Sequence, residues 1–312
     1  MQAPTAACAS GRGKAVTGNK VNPRPEPRNS RARSPTWPMI YFLSGALIAG
    51  AALLWHLGRR AAAPSAILTW QRQIQLPGLP LALDGLRVLH LSDVHATPRA
   101  DPTDTIMARA EAARPDLVAV TGDLVSGWRG LPRARRLLRR LASRWPTYVV
   151  PGNADHWADS MRREVPRWGE TGAVVLINQG QLFASDSAEI WVAGVDDPYR
   201  FRDDLGSALA PAPAGSFKLL LAHSPEIIRR PEALRSDLIL SGHTHGGQVR
   251  LPLVGALVTR SRLGRRLSRG LFRMNGTVLI ISSGVGTTRL GVRFWCPPEM
   301  TLWILRRAEP AA

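Results

Sequence analysis

Cysteine, lysine and acidic residues are all scarce in this 312-residue chain. It has two cysteines, Cys8 and Cys296, and its 23 Asp and Glu residues stand against 41 Lys and Arg, which gives a formal net charge of +18. The cysteines lie in segments that we expect to be far apart, so no disulfide is predicted and the redox compartment is left open. Because lysine is also rare, the positive charge is almost entirely arginine charge.

An excess of basic residues is typical of proteins that bind nucleic acid, an anionic membrane surface or a phosphorylated substrate. The chain contains no helix-turn-helix, RNA-recognition or zinc-finger pattern, so nucleic acid is not an expected partner. It also contains no internal repeat of fixed period. The chain is long enough, and at 45% hydrophobic residues apolar enough, to bury one substantial core. We therefore expect one large domain with extensions.

The first sixty residues have the composition of a tail followed by a membrane anchor. Residues 1–37 are rich in Pro, Arg, Ser, Asn and Gly and are expected to form a disordered basic tail. Residues 38–57 are an uncharged apolar run whose helical length matches a bilayer core, with aromatic residues near both ends. We predict one transmembrane helix. The alternatives are a signal peptide, with a weak cleavage site at 61–66, and a buried core helix.

The charges around this run give opposite orientations for two translation starts. Seven Lys and Arg precede the run, and Arg59, Arg60 and Arg72 follow it, so the positive-inside rule places the tail inside and the domain outside. If translation began at Met39, only Arg59 and Arg60 would determine the orientation of the helix, and the domain would then face the cytoplasm. The side of the membrane is therefore left open.

From about Asp84 onward, strand-like runs alternate with helical runs, which is the pattern of an α/β fold. Six apolar runs end in polar or Gly residues, at 86–93, 115–123, 146–153, 189–197, 216–225 and 236–249. Helices are predicted near 103–113, 131–144, 157–170 and 224–235, a hairpin near 177–184, and late strands in TVLIISSG and MTLWILR. In such folds, ligands gather beyond the carboxyl ends of the strands.

Potential metal ligands stand at these strand ends. They are Asp93, His95, Asp123, Asn153, His223, His243 and His245. Residues two apart in an extended stretch project to one side, so Asp93 with His95, and His243 with His245, are each expected to converge on one locus. A cluster of carboxylates and imidazoles without a metal would leave costly polar groups at a dry sheet edge. The sequence therefore predicts a metal site.

The order of these motifs, Asp-x-His, Gly-Asp, Gly-Asn, His and Gly-His-x-His, resembles that of the calcineurin-like metallophosphoesterases over residues 86–245. Residues 282–305 further resemble a membrane-anchored branch of bacterial phosphodiesterases, some related to UDP-2,3-diacylglucosamine hydrolases of lipid A synthesis. The resemblance implies an α/β sandwich of two central mixed sheets flanked by helices. Residues 84–307 would be the catalytic domain, between a linker at 58–83 and a tail at 308–312.

The resemblance also implies two divalent metal ions. One would be held by Asp93, His95, Asp123 and His245, and the other by Asp123, Asn153, His223 and His243. Mixed oxygen and imidazole ligands suit Mn, Fe or Zn better than Ca or Mg, and Mn is the expected ion. Two such cations would lower the pKa of a bridging water and clamp the phosphoryl oxygens for in-line attack.

One position departs from the family pattern, which continues Gly-Asn-His where this chain has Ala154. The family's His lies near the leaving group, and its absence is expected to restrict the chemistry to good leaving groups. It should not release the metals, because Asn153 is the implied ligand. Asp155 is expected to orient a neighbour by hydrogen bonding, and His156 is a substitute for the missing His only if the loop is kinked.

Residues 259–276 form a basic segment in which six arginines are interleaved with apolar residues, namely Arg260, Arg262, Arg265, Arg266, Arg269 and Arg273. They are candidate contacts to a substrate diphosphate or to anionic lipid headgroups, and Arg265, Arg266 and Arg269 are the three that we single out. The alternative is an ordinary basic surface loop.

The expected function is hydrolysis of a phosphodiester or pyrophosphate bond, most specifically that of UDP-2,3-diacylglucosamine in lipid A synthesis. The partners would be a phosphorylated small molecule or glycolipid and membrane lipid, in a bacterial-type inner membrane that the chain crosses once. The alternatives are an extracytoplasmic phosphodiesterase with another substrate and a metal-binding pseudoenzyme that senses phosphorylated ligands. The intact ligand set argues against the pseudoenzyme, and Ala154 argues for it.

Overall fold

The computed structural model describes four stretches of the chain, residues 36–98, 101–184, 189–288 and 290–308. The predicted tails therefore lie outside the described residues, except for residues 36, 37 and 308. Helix α1 (Thr36–Ala61) is divided between two units of the chain, residues 1–48 and 49–312. The stretch Ile40–Ala61 is long and apolar enough to cross a membrane, and its most apolar part has no buried residue.

Two six-stranded sheets form the centre of the unit 49–312. The strands are β1 (Leu68–Leu76), β2 (Arg87–Leu91), β3 (Leu117–Thr121), β4 (Thr147–Val150), β5 (Val174–Val175), β6 (Gln179–Ala184), β7 (Glu189–Gly194), β8 (Phe217–Leu221), β9 (Leu238–Ser241), β10 (Arg250–Leu251), β11 (Gly255–Ala256), β12 (Gly270–Met274), β13 (Thr277–Ile281) and β14 (Glu299–Arg307). The sheets have the orders β1-β14-β2-β3-β4-β5 and β12-β13-β9-β8-β7-β6, and β10 and β11 form a separate hairpin. Both sheets mix parallel and antiparallel pairs, so the predicted sandwich is confirmed.

The remaining helices are α2 (Thr103–Ala113), α3 (Leu131–Ala142), α4 (Asp159–Glu164) and α5 (Leu205–Leu209). Two predicted helices are shorter than expected. Only α4 and a 3-10 turn occupy 157–170, and two 3-10 turns occupy 224–235. Pro166, Pro225 and Pro231 explain the difference, because proline starts a helical turn but cannot continue one from the preceding turn. The predicted hairpin at 177–184 is one strand, β6, which pairs with β7.

The strands alternate their side chains between two apolar layers. In β3, Leu117 and Ala119 face the core between the sheets, whereas Val118 and Val120 face the layer that contains α2 and α3. All four are fully buried, as expected of a parallel strand that is covered on both faces. The alternation fixes the register, because a slip by one residue would exchange the two layers.

Candidate metal centre

The loops that follow β2, β3, β8 and β9 are joined by hydrogen bonds at one edge of the sandwich. The Asp93 amide donates to Gly122 O (3.0 Å), and the Gly242 amide donates to His223 O (2.9 Å). The two sheets are joined here as well, because His223 Nδ1 lies 2.8 Å from Thr121 O. The carboxyl ends of strands from both sheets therefore share one locus, as predicted for an α/β fold.

The chain does not converge on this locus in an extended conformation. Five candidate ligands have φ between 48° and 68°, namely Asp93, His95, Asp123, His243 and His245. L-residues rarely adopt this left-handed region, and such outliers concentrate at functional sites. Asp93 and His95 do meet in one cluster, as expected, but through left-handed turns rather than an extended backbone. His243 and His245, which were expected to share one locus, face two different clusters.

Two glycines allow the loops to approach this closely. A Cβ atom on Gly242 would lie 1.8 Å from the Ser92 hydroxyl oxygen, and one on Gly152 would lie 2.3 Å from Asp123 Oδ1. Neither gap admits a methyl group, so both positions require glycine for the close backbone approach.

The first cluster brings together four ligand atoms. His245 Nε2 lies 3.2 Å from Asp93 Oδ1 and 3.1 Å from His95 Nε2. His95 Nε2 in turn lies 3.3 Å from Asp123 Oδ2. Ligand atoms about 2.0 to 2.2 Å from a common ion lie roughly 3 Å apart. The cluster therefore has the dimensions of a site for one divalent ion.

The second cluster is centred on His223 Nε2. This atom lies 3.4 Å from Asp123 Oδ1, 3.2 Å from Asn153 Oδ1 and 3.2 Å from His243 Nδ1. The two carboxylate oxygens of Asp123 thus face different clusters. This arrangement fits a carboxylate that bridges two ions.

Hydrogen bonding shows that both clusters need positive charge. His223 Nδ1 donates to Thr121 O, because a carbonyl oxygen can only accept, and a neutral imidazole would then turn the lone pair of Nε2 toward the oxygens of Asp123 and Asn153. Asp93 Oδ1 is buried without a hydrogen-bond donor. A cation between these atoms removes both conflicts, so the donor set fits divalent metals.

Protons are held tightly where the metals are expected. Burial opposes charge on His223, but the Asp123 carboxylate raises its pKa well above the ordinary value, and the pKa of His95 is raised for the same reason. Burial and the neighbouring His223 lower the pKa of His243 to about 4. Metal binding near neutral pH would therefore release protons from His223 and His95, because ligands must be deprotonated, whereas His243 is already neutral.

Asp155 joins two of the ligand-bearing loops. Its Oδ2 accepts from the amides of Gly152 (2.9 Å) and Leu124 (3.3 Å), and its Oδ1 accepts from the Val125 amide (3.2 Å). The side chain is buried, and burial with the nearby Asp123 charge raises the pKa of Asp155 to about 7. The loops after β3 and β4 are thereby held together, which places Asp123 beside Asn153.

A cleft of about 270 Å³ opens over both clusters. Besides candidate ligands, its lining contains Ser126, Ala154, Trp157, Arg200, Arg260 and Thr288. His156 is not part of this lining, because its Nε2 lies 2.6 Å from Asp196 Oδ1. His156, two positions after Ala154, therefore does not replace the missing His.

The arginines at the cleft differ from those chosen from the sequence. Arg265, Arg266 and Arg269 are exposed and do not line it, because the chain beyond them enters β12 at the far edge of the second sheet. Arg200 and Arg260 line it instead. Arg260 belongs to the basic segment 259–276 that the sequence singled out, but Arg200 was missed. The run that ends at 197 was recognised as a strand end, and this was the only signal that pointed toward Arg200.

Comparison with known proteins gives the same result as the geometry. Residues 86–247 match the model of the family "Calcineurin-like phosphoesterase". The chain is 31% identical to "Phosphodiesterase YaeI" of Escherichia coli over 69% of this chain and 80% of the relative. It is 29% identical to "Uncharacterized metallophosphoesterase YkuE" of Bacillus subtilis over 78% of this chain and 87% of that one. A "Transmembrane protein with metallophosphoesterase domain" of Danio rerio is 29% identical over 76% of this chain and 56% of its own.

The chain belongs to the calcineurin-like phosphoesterase family. The resemblance stated from the motifs is confirmed, and a metal-dependent phosphoesterase activity follows from family membership. In this phosphoesterase, two groups of buried residues are placed to hold a metal: Asp93, His95 and His245, and Asp93, Asp123 and His223.

Proposed function

We propose that this phosphoesterase is a membrane-anchored hydrolase of phosphodiester or pyrophosphate bonds that uses two divalent ions. Asp93, His95, Asp123 and His245 would hold one ion, and Asp123, Asn153, His223 and His243 the other. The observation that carries the proposal is Asp123, whose two oxygens face separate clusters of ligand atoms. Mn is the proposed ion, because it accepts both carboxylate and imidazole ligands.

The protein's own contribution is to hold these ligands and to bind the substrate's charge. When bound, the ions would supply water activation and charge neutralisation on the phosphoryl group. Asp93 Oδ2 accepts from Ser92 Oγ (2.6 Å) and from the His243 amide (3.0 Å), which leaves Oδ1 directed at the first cluster. Arg200 and Arg260 line the cleft, where their guanidinium groups would bind phosphoryl oxygens that do not contact the ions.

Ala154, where the family has a histidine, restricts the cleavable bonds to those with a good leaving group. Ala154 lines the cleft and its amide donates to Asp123 Oδ1 (2.7 Å), but its methyl side chain has no proton to give. An alkoxide needs a general acid, whereas a nucleotide leaving from a phosphate anhydride needs little protonation. The proposed substrate is therefore an activated diester or a pyrophosphate.

UDP-2,3-diacylglucosamine is the most specific substrate that we propose. A second cleft, of about 750 Å³, adjoins the first at His95 and is also lined by Arg59 and Arg129. Arg59 belongs to α1, so a phosphorylated glycolipid could reach the metal centre while its acyl chains remain near the anchor. A phosphodiesterase of another substrate, acting outside the cytoplasm, is the second candidate, supported by the seven basic residues that precede the anchor.

The test is hydrolysis by the full chain, purified in detergent and loaded with Mn. UDP-2,3-diacylglucosamine, an aryl phosphodiester and an aryl phosphomonoester would be supplied separately, with Asp123→Ala as the inactive control. Cleavage of the pyrophosphate bond above that of the aryl diester supports the specific proposal, and cleavage of the aryl diester alone supports the second candidate. Cleavage of none by a protein that holds two ions would instead identify a pseudoenzyme.

A further inference from the structure

The hairpin β10–β11 follows the Gly-His-x-His loop and exposes an apolar surface. Residues 251–258 read LPLVGALV and contain no polar side chain. The exposed large side chains are Leu251, Leu253, Val254, Leu257 and Val258. Leu253 is fully exposed at a φ of 64°, so it takes a conformation unusual for an L-residue and gains no burial. A contiguous apolar patch of this kind marks an interaction surface.

The chain segment that contains this hairpin carries only positive charge. No Asp or Glu occurs between Asp237 and Glu299. Six arginines after the hairpin are exposed, namely Arg260, Arg262, Arg265, Arg266, Arg269 and Arg273. An apolar tip flanked by basic residues is the composition of a segment that enters the surface of an anionic membrane.

The base of the hairpin is joined to the end of the apolar helix by one short segment. The Arg250 amide donates to Phe294 O (2.9 Å), and the Phe294 amide donates to Gln248 O (3.0 Å). The preceding Arg293 amide donates to Gly58 O (3.0 Å) in the last turns of α1. A bilayer crossed by this helix would therefore have the hairpin near its surface.

We propose that residues 251–258 are a second membrane contact, inserted into the surface of an anionic bilayer while the flanking arginines bind lipid phosphates. The proposal rests on the proposed anchoring by α1 and is independent of the substrate. It would hold Arg260, which lines the metal cleft, at the lipid surface. The three arginines picked from the sequence would then contact lipid headgroups rather than the reacting phosphate.

Depth-dependent quenching in the full chain tests this proposal. A fluorophore sensitive to polarity is attached at Leu253→Cys in a Cys8→Ser background, since Cys296 is buried. The protein is placed in nanodiscs of phosphatidylcholine with about one third phosphatidylglycerol, with and without doxyl-labelled lipid. The matched control is Ala214→Cys, an exposed site before β8 at the opposite ends of the strands.

Quenching of about twofold at residue 253, with a blue-shifted emission, and none at residue 214 is the expected result. Replacing phosphatidylglycerol by phosphatidylcholine should reduce it. Co-purification with nanodiscs without quenching at 253 would overturn the hairpin proposal and leave the anchor intact, whereas failure to co-purify would overturn the anchor itself. Energy transfer between labelled copies without doxyl quenching would assign the patch to self-association and also overturn the proposal.

Discussion

Restoring a histidine at Ala154 is the sharpest perturbation that this structure offers. The Ala154 amide lies 2.7 Å from Asp123 Oδ1 and the residue lines the cleft, so an imidazole there would reach the leaving-group side of the metal centre. A positioned general acid contributes about 10² to 10⁴ in rate when the leaving group is poor. We expect Ala154→His to raise kcat/KM for diesters with alkyl leaving groups by at least about tenfold and to leave pyrophosphate cleavage nearly unchanged.

The assay is a series of phosphodiesters with leaving groups of increasing pKa, measured for the wild type and the variant. The wild-type rate should fall steeply along the series, and the variant's rate should fall less. Ala154→Gln is the matched control, because it fills similar space without an acid of suitable pKa. His156→Gln should not alter the slope, since His156 is bonded to Asp196. Equal loss of rate on every substrate in Ala154→His would refute the reasoning.

Three further predictions follow from buried and charged groups. Asp155→Asn should weaken Mn affinity about 10- to 100-fold although Asp155 is not itself a ligand, because an NH₂ group would face the amide donors of the ligand loops. Calorimetric titration with Mn measures this affinity, and an unchanged value would contradict the prediction. Burial lowers the pKa of His90 to about 3, so below about pH 6.5 this histidine is protonated in the unfolded state but stays neutral in the folded state. The free energy of unfolding should therefore fall as the pH drops below about 6.5. Urea unfolding in detergent should lose about 2 kcal/mol between pH 7 and pH 5, and His90→Gln should lose less. Arg260→Gln should raise KM for an aryl diester about tenfold, whereas Arg265→Gln should leave it unchanged. Equal effects of the two substitutions would contradict the proposed role of Arg260 in substrate binding.

The arrangement of the ligand motifs could be predicted from the sequence because each one follows an apolar strand. Parallel strands covered on both faces, such as β3, read as unbroken apolar runs, and their ends identify one edge of the sheet. The left-handed conformations at Asp93 and His243 could not be predicted in this way. They depend on contacts between loops from different sheets, and such contacts have no local signature.

The sequence was also uninformative about which arginines reach the cleft. Arg260 lies in the same basic segment as Arg265 and Arg266, and nothing in the sequence distinguishes it from them, whereas Arg200 comes from another loop that the fold brings to the same cleft. The same limit applies to the role of Asp155. Its position after Asn153 suggested an orienting role, but its partners in the loop after β3 lie about thirty residues away in the chain.

Metal stoichiometry is the most direct test of the central claim, that Asp123 bridges two ions. Bound metal would be removed from the full chain with a chelator, Mn would be added back, and excess Mn would be removed. The Mn content per chain would then be measured by elemental mass spectrometry. Two Mn per chain are expected, with a clear loss in Asp123→Ala and with hydrolysis returning as the second ion binds. One ion per chain in a sample that retains full hydrolytic activity would contradict the account.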